Sequence, residues 1–147
     1  MAKRAPRLLI IEARFYEVIA DELARGAIAA LEAAGAKFER VAVPGVLETP
    51  AALACAVEAG RHDGYVMLGC VIRGETGHYD IVAVQSARAI MDLAVKHRLA
   101  LGNGILTVEN RDQAWVRARV SKGDKGGMAA RAALAMIEVK AKLEKAK

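Results

Sequence analysis

Aromatic residues are scarce: two Phe, three Tyr and one Trp in 147 positions. Holding nucleic acid by base stacking requires aromatics interleaved with a basic face. None are so arranged, and nucleic acid is excluded as a partner. Cysteine is equally sparse. Cys55 and Cys70 sit in apolar runs and form no paired-cysteine motif, which excludes a zinc knuckle or a disulfide framework and leaves two buried, reduced thiols as the expectation. No apolar run approaches the length of a membrane span. Lys3, Arg4 and Pro6 precede only a short apolar stretch, unlike a signal peptide, so a cytoplasmic protein with no membrane partner is expected. The chain also lacks a strong charge of one sign. It has 22 basic and 17 acidic residues, a net charge of +5. Much of the excess lies in Lys3, Arg4 and Arg7 and in Lys140, Lys142, Lys145 and Lys147, read as two solvated basic termini. A small anionic ligand remains compatible with that charge.

What the sequence does have is apolar residues, 54% of it, with alanine dominant. One domain is expected over 1–147, with a short arm at 1–6 and a basic tail at 141–147. "RLLIIEA" from Arg7 reads as a buried strand. Ile19, Leu23, Ala27, Ala30 and Leu31 then recur at helical spacing until Gly35. "FERVAVPG" predicts a second strand, and Glu48 to Ala59 a helix with Pro50 in its first turn. "GYVMLGCVI" predicts a third strand, Tyr79 to His97 a long helix, and "LGNGILTV" a fourth strand. Asn110 is positioned to cap a short helix reaching about Val120. A glycine-bearing break, "SKGDKGG" (121–127), precedes a last helix ending near Lys145. Strands alternating with helices over short links predict a parallel sheet with helices on both faces.

Ligands of such sheets sit outside the carboxyl ends of the strands. The loop in "LGCVIRGETGHYD", Leu68 to Asp80, is therefore a candidate site. Gly74 and Gly77 allow unusual backbone dihedrals and expose N–H groups, and the helix start adds more donors, together an anion seat. Thr76 adds a hydroxyl, and His78 is suited to moving protons near neutral pH. Glu48, at another strand end, is a candidate acceptor for ring N–H groups of a heterocycle, and Phe15 a candidate stacking partner. Arg117, Lys122 and Lys125 offer positive charge to a phosphate. A nucleotide-binding alternative is disfavoured because "EARFYE" stands where a glycine-rich turn would follow the first strand.

The third predicted helix is apolar on more than one side: Ile81, Val82, Val84, Ala87, Ile90, Met91, Leu93 and Val95 leave few polar positions. One apolar stripe suffices to cover a sheet. The excess predicts a second subunit.

Four segments, "VPGVLETP", "LGCVIRGETGHYD", "GNGILTVENRDQA" and "KGDKGGMAARAAL", together resemble lumazine synthases, in the family's order and spacing, over about residues 7–140. The resemblance implies a three-layer, flavodoxin-like, four-stranded parallel sheet. It implies condensation of 5-amino-6-(D-ribitylamino)uracil with 3,4-dihydroxy-2-butanone 4-phosphate to 6,7-dimethyl-8-ribityllumazine, the penultimate step of riboflavin synthesis. It also implies no metal or organic cofactor, and a homopentamer with sites between subunits, in some members assembled further into a shell. By resemblance, Phe15, Leu47, Glu48, Val71 and Ile72 hold the pyrimidine and ribityl groups. Glu75 and Thr76 cradle the phosphate through their N–H groups, with Arg117 from the neighbour and Lys125. His78 shuttles protons.

The sequence departs from the family at Tyr16, where members often have Asn, and at Asn103, where many have a Phe that walls the neighbour's ring pocket. The expectation is a looser pocket or a bond from Asn103 to the ribityl chain. "SKGDKGG" differs from the run common in shell-forming members. The alternative reading is a protein of the same fold that binds a flavin or lumazine, or forms a shell, with weak or no turnover.

Overall fold

The computed structural model describes residues 4–145; the outermost residues of the expected arm and tail lie outside the described residues. Four parallel strands form one sheet: β1 (Arg7–Ala13), β2 (Lys37–Val43), β3 (Gly64–Ile72) and β4 (Leu101–Val108), in the order β2-β1-β3-β4. The helices are α1 (Glu17–Ala33), α2 (Thr49–Ala59), α3 (His78–His97), α4 (Arg111–Ala118) and α5 (Lys125–Lys145), and a single 3₁₀ turn covers Val46–Glu48.

The continuous apolar runs of β1 and β3 follow from their central place. Successive side chains point to opposite faces, and both faces are covered. Leu8 and Ile10 pack with Ile19, Leu23 and Leu31 of α1, with Ala114 and Ala118 of α4, and with Ala129, Ala130 and Ala133 of α5. Leu9 and Ile11 pack on the other face with Leu53 of α2 and Ile90 of α3. β2 lies at an edge, and its exposed Lys37, Glu39 and Arg40 discourage pairing with a further strand.

Several boundaries differ from expectation. α5 begins at Lys125, inside the expected break, and includes Gly126 and Gly127. These glycines serve close packing: a Cβ on Gly126 would lie 2.0 Å from the Leu23 carbonyl oxygen of α1, and one on Gly102 1.7 Å from that of Ala129. α5 thus rests backbone-on-backbone against both α1 and β4. α4 ends at Ala118, short of Val120. Its Asn110 side chain accepts the Gln113 N–H at 2.9 Å, the expected cap. Cys70 is buried, but Cys55 is exposed, because α2 buries Thr49 and Leu53 and turns Cys55 outward.

Arg4 bonds Asp63 at 3.0 and 3.1 Å, just before β3, and Arg4, Pro6, Lys140 and Glu144 border one hollow of about 760 Å³. Both described ends of the chain therefore lie at the edge where the strands begin. Among the described residues no helix is long and apolar enough to cross a membrane.

Candidate active site

The chain runs outward from β1 to β2 and returns past β1 to β3. This reversal leaves a crevice at the carboxyl ends of the strands. A cleft of about 390 Å³ lies there, and three strand ends supply its walls.

The segment after β1 contributes Phe15 and Tyr16, whose rings meet edge to face at 5.0 Å. Phe15 is 72% exposed, a stacking surface without a partner ring above it. The segment after β2 contributes Gly45, Val46, Leu47 and Glu48. Val46 and Thr49 are buried, and the Thr49 hydroxyl donates to the Val46 carbonyl at 2.6 Å. That anchorage lifts Leu47 and Glu48 to the exposed rim of the turn.

The end of β3 contributes Cys70, Val71 and Ile72, followed by Gly74, Thr76, His78 and Tyr79. Gly74 and Gly77 do not adopt the unusual dihedrals expected of them; the glycines with positive φ are Gly35 and Gly60. A Cβ on either Gly74 or Gly77 would meet nothing within 4 Å, so their contribution is open space around the loop. The His78 N–H donates to the Thr76 hydroxyl at 3.3 Å, and the N–H groups of Gly74, Glu75, Thr76 and Gly77 find no acceptor among the described residues. These free donors lie where α3 begins, at the positive end of its dipole.

Arg73 braces this loop. Its Nε donates to Glu109 at 2.9 Å, its guanidinium lies 4.1 Å from the Tyr79 ring centre, and Asp80 is 3.6 Å away. In the sequence Arg73 falls within the run from Leu68 to Asp80 and Tyr79 starts the predicted third helix, without a role for either; a cation and an aromatic flanking the Gly-x-Thr-x-His run were the available signal. Burial pushes the Cys70 thiol up to about 11, so it stays protonated at neutral pH and is no nucleophile. No group of three His, Cys, Asp or Glu gathers as a metal site among the described residues.

The cleft thus brings together Phe15, Leu47, Glu48, Val71, Ile72, Thr76 and His78, with Glu75 in the same loop. It does not include Asn103, Arg117 or Lys125. Asn103 lies in a separate groove of about 500 Å³ between α3 and α5 and accepts the Ile105 N–H at 3.0 Å. Arg117 is exposed on α4, bonded to the Gln113 carbonyl at 3.2 Å. Lys125 opens α5.

The family model for 6,7-dimethyl-8-ribityllumazine synthase matches residues 5–141. The chain belongs to the lumazine synthase family. It is 61% identical to the 6,7-dimethyl-8-ribityllumazine synthase 1 of Rhizobium meliloti strain 1021, over 97% of each chain. It is 59% identical to the lumazine synthase of Agrobacterium fabrum strain C58, over 94% of this chain and 97% of that one. For the lumazine synthase of Methylobacterium radiotolerans the identity is 60%, over 91% and 82%. The four-stranded parallel sheet with helices on both faces is the arrangement expected of a lumazine synthase.

Proposed function

We propose that this chain condenses 5-amino-6-(D-ribitylamino)uracil with 3,4-dihydroxy-2-butanone 4-phosphate to 6,7-dimethyl-8-ribityllumazine, releasing water and inorganic phosphate. It is a transferase of riboflavin biosynthesis by its family. The observation that carries the reading is the cleft itself. A stacking ring, Phe15, and a ring-edge acceptor, Glu48, line one hollow with His78, beside loop N–H groups that have no acceptor among the described residues.

In this reading the pyrimidine stacks on Phe15, with Glu48 accepting its N–H groups and Leu47 against the ribityl chain. Backbone groups of Val71 and Ile72 meet the ring edge. The phosphate settles on the N–H groups of Glu75 and Thr76. His78 moves protons as the amine and ketone form an imine and as phosphate departs. With the cleft thiol protonated, acceleration rests chiefly on holding two substrates together, a contribution on the order of 7–11 kcal/mol, and on proton transfer worth roughly 10²–10⁴-fold.

Arg117, Lys125 and Asn103 lie outside their own protomer's cleft and serve a neighbour's in this reading, within a cytoplasmic homopentamer. The exposed Ile81, Val84, Met91 and Val95 along α3 support such an assembly. Steady-state assay of product absorbance with both substrates tests the function: turnover requiring both is expected, and tight lumazine binding without turnover would overturn it. Arg117→Ala is expected to raise KM for the phosphorylated substrate about tenfold or more and to leave that for the pyrimidine nearly unchanged. Equal losses would remove Arg117 from the phosphate.

A further inference from the structure

One carboxylate among the described residues is fully buried, and the catalytic scheme above does not use it. Glu12, 2% exposed, stands next to last in β1. It accepts from Arg40 of β2 at 2.6 and 2.9 Å and from Arg14 at 2.8 Å. Arg14 also bonds Asp21 of α1, and its backbone N–H donates to the Val43 carbonyl at 3.2 Å. Arg14 is thus pinned through its main chain to β2 and through its side chain to β1 and α1. The next residue is Phe15, whose exposed ring has an edge contact with Tyr16 as its one ring partner among the described residues. What aims the Phe15 ring is therefore the backbone that Arg14 holds.

An apolar residue at position 12 would fill the space as stably, since a buried ion pair repays little more than its desolvation. What an apolar residue cannot provide is direction: three charge-assisted bonds set the angles between β1, β2 and α1 at the point where the chain enters the cleft. We propose that Glu12 is a positioning residue, which through Arg14 holds Phe15 where the ribitylaminouracil ring stacks. This rests on the reading that Phe15 receives that ring.

The test compares three variants with the unaltered chain. Each is assayed for KM toward each substrate and for Kd of 6,7-dimethyl-8-ribityllumazine by its fluorescence. Glu12→Gln is expected to raise KM for the ribitylaminouracil and Kd for the lumazine about tenfold, with KM for the butanone phosphate within about twofold. Arg40→Gln, at a side chain about half exposed, is expected to shift the same two values in the same direction but less. Arg25→Gln breaks an ion pair on the outside of α1 and is expected to move neither. Equal rises in both KM values, or a lowered melting temperature with both unchanged, would overturn the proposal. If Glu12→Gln does not fold, an unchanged pyrimidine KM in Arg40→Gln overturns it. Absence of turnover in the unaltered chain would refute the condensation instead, and the lumazine Kd values would still decide the role of Glu12.

Discussion

Single residues divide the work of the cleft by burial. Val46 and Thr49 sit in the core and hold a turn. Leu47 and Glu48, between them, stay at the surface. His78 is exposed at the first position of α3, next to donors without acceptors among the described residues. Replacing His78 with Ala is expected to slow turnover by about 10²-fold or more while product affinity changes little, as checked by kcat beside fluorescence titration. At this scale the sequence was legible where chemistry depends on neighbours in the chain. Gly74 and Thr76 lie in one loop and His78 follows it at the start of α3, an adjacency already plain from their spacing. Glu12 was not legible. "RLLIIEA" reads as an uninterrupted buried strand, and the partner that neutralises its acid, Arg40, comes near only through the β1–β2 register, in which Glu12 faces Ala42.

Elements meet with little room between them. α5 lies so close to α1 that a methyl on Gly126 has no place, and Gly126→Ala is expected to lower stability by about 1–3 kcal/mol, read from denaturant midpoints. The sequence reading took this glycine run as a break because glycine in a loop and glycine under a neighbouring backbone look alike in one dimension. A second tie between elements is electrostatic. Glu22 of α1 pairs with Arg25 and accepts the Val120 N–H at 3.0 Å, and these contacts, the Arg25 bond foremost, hold its carboxyl below the usual carboxylate range. A depressed folded-state value adds stability that is fully present above the ordinary value of 4.5 and is lost as pH falls through the lower one. Glu22→Gln is therefore expected to flatten the acid limb of the stability–pH curve below about pH 4.5, measured by thermal melts from pH 3 to 7.

The whole molecule carries an uncovered apolar face. Val95 is 71% exposed and Met91 63%, beside the groove that also holds Met136, Val139 and Leu143. The apolar excess of this helix was visible in the sequence, and the structure leaves it facing outward. That Arg117 and Asn103 serve a neighbour's cleft was an implication of the family resemblance and not of the residues themselves, because spacing along one chain carries no information about a second. Val95→Glu is expected to reduce the mass in light scattering toward the 15.6 kDa of one chain and to abolish turnover with it. Retained activity in a dispersed protomer would contradict the shared site.

The chain's described ends meet beside the hollow lined by Arg4 and Glu144, a full strand length from Phe15 and His78. A label carried on Arg4 or Glu144 would thus stand on the far side of its own protomer and leave the mouth of that protomer's cleft clear.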